Sequence, residues 1–167
     1  FSNSNKPKFR ADNCRTEHSE VTKKRFEKPV TTINSRDGVY DSQMRELNSK
    51  GSLPHNVVIA ASETNPGILH PAPFSVELAE WFVKIGCDEN DVVLDPFAGS
   101  STTGVASLKN NRKFIGIDLV EFNIGFGRKR MNHFLETGET FIPKSLLDEK
   151  GIDVNYYKIK GKHINNP

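Results

Sequence analysis

Between Ser75 and Glu136 the spacing of apolar positions changes repeatedly, and each change marks an element. In VELAEWFVKIG, Leu78, Phe82 and Ile85 fall on one helical face, while Glu80 and Lys84 pair on another. Ser75 is the N-cap of this helix and Gly86 stops it. CDENDV then turns into the apolar run Val92–Asp95, a strand. A loop of small residues follows, and Thr102–Lys109 reads as a helix. Asn110, Asn111 and Arg112 turn the chain into a second strand, Lys113–Asp118. EFNIGFGRKRMNHFLE continues as a helix made imperfect by Gly125 and Gly127. Upstream the pattern is weaker. Asp41–Lys50 predicts a short helix closed by Gly51, and Val57–Ile59 a buried strand. Three prolines in the nine residues after Asn65 make NPGILHPAPF a loop. Residues 1–35 show no sustained period and predict loops with short elements. There is no internal repeat or low-complexity tract.

Strand, glycine loop, helix and strand with a terminal acid make a βαβ unit, whose ligand site lies at the carboxyl ends of its strands. The predicted class is α/β, a doubly wound, mainly parallel sheet with flanking helices. In VVLDPFAGSSTT, Gly99 lets the backbone approach a ligand without a Cβ in the way. The amides that open the next helix face the same point. Asp118, 23 residues after Asp95, ends the second strand where a carboxylate can accept both hydroxyls of a ribose.

Composition narrows the classes. The 167 residues suit one domain, with 35% hydrophobic and 26% charged residues. No apolar run is long enough to span a membrane, and the basic, polar start FSNSNKPKFR is no signal peptide. The chain begins with Phe1 rather than Met, which suggests a piece of something longer. Cys14 and Cys87 match no metal-ligand spacing, so no metal is expected and both read as reduced thiols. The net charge of +2 is uneven. Residues 1–28 carry eight bases against four acids, residues 29–122 seven against twelve, and residues 123–167 eight against five. Basic segments of this kind attract phosphate backbones, although they also serve solubility alone.

The loop discriminates among nucleotides. F-A-G-S-S-T-T-G lacks the G-x-G-x-x-G of dinucleotide sites and the Gly-Lys-Ser/Thr of triphosphate loops. A cofactor with a ribose, no phosphates and a cationic amino acid moiety fits Asp95 and Asp118, and S-adenosylmethionine has these features. The plainer reading is a tight turn in an unrelated α/β protein.

VVLDPFAGSSTTGVA resembles the D-P-F-x-G-S-G-T-T cofactor loop of the amino-group DNA methyltransferases. HPAPFSVELAEWFVKIG, just before it, is similar to their H-P-A-x-F-P segment and the helix that follows. This order is that of the permuted (beta) class, and the resemblance covers about residues 54–135. It implies a Rossmann-like S-adenosylmethionine-dependent methyltransferase fold, incomplete in this chain. It implies that Asp95, Phe97, Gly99, Ser100 and Thr102 line the methionine side, with Ala98 and Thr103 in the same loop. Asp118 would bind the ribose, Leu119 would lie beside the adenine, and His70, Pro71 and Phe74 would close the pocket. Ser101 stands where the pattern most often has glycine, and serine fits unless the loop needs φ > 0 there. Ser75 replaces the last proline of H-P-A-x-F-P. Relatives with S-N-T-T-G after H-P-A-x-F-P are often cytosine-N4 enzymes, which favours that base over adenine-N6.

One part of the family's equipment is missing. Its catalytic tetrapeptide, Ser/Asp/Asn-Pro-Pro-aromatic, accepts and stacks an extruded base. No Pro-Pro dipeptide occurs here, and Asn65-Pro66-Gly67 and Asn166-Pro167 lack the second proline and the aromatic. No residue of this chain is therefore assigned as catalytic. Cys87 and Cys14 sit in no setting that would make either the covalent nucleophile of a cytosine-C5 enzyme. His18, His55, His133 and His163 read as surface or core residues, and Trp81 with Phe82 as core packing.

The expectation is the cofactor-binding part of a site-specific methyltransferase acting on duplex DNA with its target base flipped out. A second chain or an upstream segment would carry Ser/Asp-Pro-Pro-Tyr/Trp, and a restriction endonuclease could accompany it. A non-catalytic DNA- or cofactor-binding module and an RNA base methyltransferase are the alternatives. Residues 1–35 are expected to be a DNA-facing basic segment, 36–135 the cofactor-binding half-domain and 136–167 a basic extension. The expected location is the prokaryotic cytoplasm, in association with the nucleoid.

Overall fold

The computed structural model describes residues 8–28, 30–33, 40–43, 46–55, 57–61, 74–147 and 151. The chain divides into two compact units, Ala11–Asn56 and Phe1–Arg10 with Val57–Pro167.

In the smaller unit a 3-10 turn, Ala11–Cys14, precedes helix α1, Glu20–Phe26. Ser19 caps α1 by accepting from the Thr22 amide at 3.2 Å. Strands β1 (Val30–Ile33) and β2 (Tyr40–Gln43) pair antiparallel, Val30 opposite Gln43 and Ile33 opposite Tyr40. The predicted helix over 41–50 is therefore wrong: its first residues are strand, and residues 46–50 hold no helix. Cross-strand pairing outweighs the weak helical preference of a segment with no long apolar face. Gly51 does close the segment, at φ +91°, where a Cβ would meet the Thr16 carbonyl at 2.2 Å. That close approach permits the bridge between Thr16 and Ser52. Arg15 donates to the Gly51 carbonyl and the Asp12 carboxylate, at 2.6 and 2.7 Å. Hydrogen bonds from Arg15 and Lys50 hold the Asp12 carboxyl below its ordinary pKa.

In the larger unit, helix α2 (Val76–Gly86), strand β3 (Val92–Asp95), helix α3 (Thr102–Lys109), strand β4 (Lys113–Gly116) and helix α4 (Glu121–Thr137) follow in order. Strands β3 and β4 are parallel, Val92 beside Lys113 and Asp95 beside Gly116. This is the α/β arrangement expected, in its βαβ minimum. The ladder continues beyond β4, since the Ile117 amide donates to the Asp95 carbonyl at 2.9 Å and the Ala98 amide to the Ile117 carbonyl at 2.9 Å. Ser75 caps α2 through the Leu78 amide, as its position predicts.

The core lies between α2, α3 and one face of the sheet. Val76, Ala79, Val83, Val105 and Ala106 are buried, with Val93, Met131 and Phe134 packed against them. The buried face of α2 is therefore not the Leu78–Phe82–Ile85 stripe: Phe82 is 59% exposed and meets Trp81 edge to face at 5.1 Å. Smaller residues face α3 because the two helices pack closely, leaving the Phe82 ring outside and Trp81 half-buried. Glu80 of α2 forms ion pairs with Lys84 and, across to α3, with Lys109. Val57 and Ile59 are 66% and 94% exposed and form no strand, so the buried strand expected there is absent from the described residues. A second cluster, Phe126, Ile142 and Leu147, holds the segment after α4 against that helix.

Two glycines separate packing from propensity. A Cβ at Gly104 would lie 2.6 Å from Met131 Sδ and 2.8 Å from the Phe114 ring, whereas one at Gly125 meets nothing within 4 Å. Gly104→Ala is expected to destabilise the protein by about 1–3 kcal/mol. Gly125→Ala is expected to stabilise it by about 0.5–1 kcal/mol through helix entropy. Urea unfolding of the two variants beside the parent checks both signs.

Candidate cofactor site

The carboxyl ends of β3 and β4 bring some of the sequence-predicted residues together. Asp95 closes β3, and its Oδ1 accepts from the Phe97 amide at 3.0 Å. Pro96 and Phe97 turn the chain, and the Phe97 ring is 85% exposed. Gly99 takes φ +51°, and its amide donates to Asp118 Oδ2 at 2.8 Å. Asp118 Oδ1 accepts from the Val120 amide at 2.8 Å and from Asn123 Nδ2 at 3.0 Å. Leu119, next in the chain, is fully exposed. Asp95, Phe97, Gly99, Asp118 and Leu119 thus lie at the carboxyl ends of β3 and β4 and in the turns that follow, where the Phe97 and Leu119 side chains are bare.

Asp118 is more occupied than the sequence suggested. A carboxylate offers about four acceptor positions. Gly99, Val120 and Asn123 already donate to it. Its first role is to tie the loop after β3 to the start of α4.

Ser100 and Thr102 also depart from the simple picture. Both are buried, and their hydroxyls lie 3.3 Å apart. They face Arg130 of α4, whose Nη1 donates to the Ser100 carbonyl at 3.2 Å and to Thr102 Oγ1 at 3.0 Å. Ala98 is buried at 7% exposure. Phe74 and Thr103 lie elsewhere, on an apolar groove of about 390 Å³ that Ala79, Phe82, Val83 and Val93 also line. Neither Asp95 nor Asp118 borders that groove. His70 and Pro71 lie outside the described residues.

The loop does require φ > 0 at the serine. Ser101 sits at φ 57° and ψ 37°, the left-handed conformation that the glycine of related patterns adopts without cost. Sequence reasoning missed Asn123, Gly127 and Arg130. Their signal was the spacing 123, 127 and 130, which sets two polar groups and a glycine on one face of a helix.

The remaining candidates stay bland. Cys87 Sγ donates to the Val83 carbonyl, and both cysteines are thiols. His133 is buried against Glu139 at 3.2 Å, and His18 lies between Asn48 and Ser52. Among the described residues no group of three His, Cys, Asp or Glu could hold a metal, and no helix is long and apolar enough to cross a membrane.

Comparison with known proteins gives a family. The family described as DNA methylase (N6_N4_Mtase) matches residues 1–124. Type II methyltransferase M.PvuII of Proteus hauseri is 28% identical across 93% of this chain and 51% of its own length. DNA adenine methyltransferase YhdJ of Escherichia coli K12 is 38% identical, over 38% of this chain and 21% of its own. Among solved structures, the M1.HpyAVI–SAM complex is 39% identical over 38% of this chain and 31% of that one, at a TM-score of 0.36. The chain spans about half the length of M.PvuII, and less of the other two.

Asp118→Ala leaves three donors without their acceptor and is expected to cost about 2–4 kcal/mol of stability. Faster hydrogen exchange at the Gly99 and Val120 amides, against unchanged exchange within α2, is the accompanying sign.

Proposed function

The chain belongs to the DNA methylase family that matches residues 1–124, and from that premise we propose that it binds S-adenosylmethionine at the carboxyl ends of β3 and β4 as the cofactor half of an amino-group DNA methyltransferase. The observation that carries this reading is the meeting of Asp95, Gly99 and Asp118 at the carboxyl ends of the two parallel strands. The donor set fits the cofactor. Residues 95–103 contain no lysine or arginine, as suits a ligand without phosphates. The Asp95 carboxylate suits a cationic amino acid moiety, Asp118 stands at the end of the second strand where a ribose would lie, and the bare Phe97 and Leu119 side chains offer apolar cover for the adenine. On this reading the bound cofactor supplies the methyl group, and the residues of this chain bind and orient it.

The proposed acceptor is the exocyclic amine of cytosine (N4, preferred) or of adenine (N6), in duplex DNA with the base flipped out. The Pro-Pro tetrapeptide absent from the sequence would come from another segment or a second chain. The sheet supports such completion: Val92, Leu94, Ile115 and Ile117 are 52–60% exposed on its outer face, whereas parallel sheets are covered on both faces. The basic N-terminal residues, including Lys23, Lys24 and Arg25 of α1, are proposed to face the phosphate backbone. The missing tetrapeptide equally favours a second reading, a binding module without catalysis.

Calorimetric titration with S-adenosylmethionine is expected to detect binding, and Asp95→Asn to weaken it at least ten-fold with little change in melting temperature. Equal affinity in the variant would remove Asp95 from the site. Joined to a segment carrying Ser/Asp-Pro-Pro-Tyr/Trp, the protein is expected to methylate duplex DNA in preference to tRNA. Cofactor binding without any methylated base would leave the module reading standing instead.

A further inference from the structure

We propose that one face of α4, through Gly127 and Arg130, is the mould that sets the shape of the cofactor loop, so that both act as positioning residues without touching the cofactor. This rests on the reading of Ser100–Thr102 as part of an S-adenosylmethionine loop.

The geometry is specific to three consecutive loop residues. Arg130 is fully buried, and its guanidinium bridges two places in the chain. Nε donates to the Thr140 carbonyl at 2.8 Å, beyond the end of α4. Nη1 reaches the Ser100 carbonyl at 3.2 Å, Ser100 Oγ at 3.4 Å and Thr102 Oγ1 at 3.0 Å. The planar fork of an arginine can serve both directions at once, and an ammonium cannot. Between these contacts stands Ser101, in the left-handed conformation and 4% exposed. A Cβ placed on Gly127 would fall 2.0 Å from Ser101 Oγ and 2.8 Å from Ser101 Cβ. Gly127 is therefore the empty place into which the Ser101 side chain fits. A serine at position 101 requires a glycine at 127, while a glycine at 101 would not.

The loop cannot shift without consequence for the strand ends. The Ser101 amide donates to the Ala98 carbonyl at 2.7 Å, and the Ser101 carbonyl accepts from Val105 at 3.0 Å to begin α3. Gly99, two residues before, holds Asp118. Displacing Ser101 thus moves the Gly99 amide and the first turn of α3 together.

The test is a double-substitution cycle in the complete protein, Gly127→Ala, Ser101→Gly and the pair, with S-adenosylmethionine affinity and amide exchange at 99–102 read well below the melting temperatures. Gly127→Ala is expected to weaken cofactor binding ten-fold or more and to speed exchange at 99–102. Adding Ser101→Gly is expected to restore affinity to within about three-fold of the parent. Arg130→Lys is expected to fall between the parent and Arg130→Met in affinity. A helix residue with a merely structural role would lower the melting temperature and leave affinity and loop exchange unchanged, and that result overturns the proposal. So does a double variant no better than Gly127→Ala alone. If Gly127→Ala does not fold, Ser101→Gly with and without Gly127→Ala is compared, and any substantial difference in loop exchange overturns the proposal. Absence of binding in the parent protein would strike the cofactor assignment, and the exchange arm of the cycle then decides the mould by itself.

Discussion

Asp118 stands just beyond β4 with both carboxylate oxygens engaged, one by the Gly99 amide and the other by Val120 and Asn123. Through these bonds one side chain gathers the end of the second strand, the loop after the first and the opening of α4. Hydrogen bonds to a charged acceptor are about twice as strong as neutral ones. These turns are therefore organised by the chain's own bonds, and on the proposed reading less ordering is left for binding to accomplish. Occupied in this way, Asp118 is first an organiser of the strand ends.

Arg130 does from below what Asp118 does from the front. A buried guanidinium is costly unless its donors are matched, and here carbonyls and hydroxyls match them: Thr140, Ser100 and Thr102. The hydroxyls of a loop rich in serine and threonine are thus committed in part to its own foundation. That division explains why residues adjacent in sequence point to opposite sides, with Phe97 bare on the surface and Ser100 and Thr102 buried.

The elements of the larger unit were legible because their boundaries are chemical. Ser75 caps, Gly86 stops, and α3 spans Thr102–Lys109 as its pattern predicts. The parallel pairing followed from strand, helix and strand at short spacing. The convergence of Asp95, Gly99 and Asp118 was legible for the same reason: all three terminate or follow strands. What was not legible depends on contacts distant in sequence. The Leu78–Phe82–Ile85 stripe satisfies a helical period, yet the helix turns smaller residues inward because α3 approaches closely there. Asp41–Lys50 looked helical in isolation, and the pairing of Tyr40–Gln43 with Val30–Ile33 decided otherwise. Arg130 carried no motif, and its role is visible only once Thr140 and Ser100 are brought to either side of it.

Two absences in the larger unit then point the same way. Among the described residues nothing covers the outer face of β3 and β4, where Val92, Leu94, Ile115 and Ile117 are half exposed. Burying apolar area stabilises by about 25 cal/mol per Å², so a face of four aliphatic side chains favours an additional layer. The chemistry lacks a Pro-Pro-aromatic element that would accept the target base. On the proposed reading, one complementing segment answers both needs. Covering the sheet would bring its own residues near the carboxyl ends of the strands, the edge at which the methyl donor is proposed to lie. Completion of the core and assembly of the catalytic centre would then be a single event, and cofactor affinity in this chain would measure how much of the site stands without it.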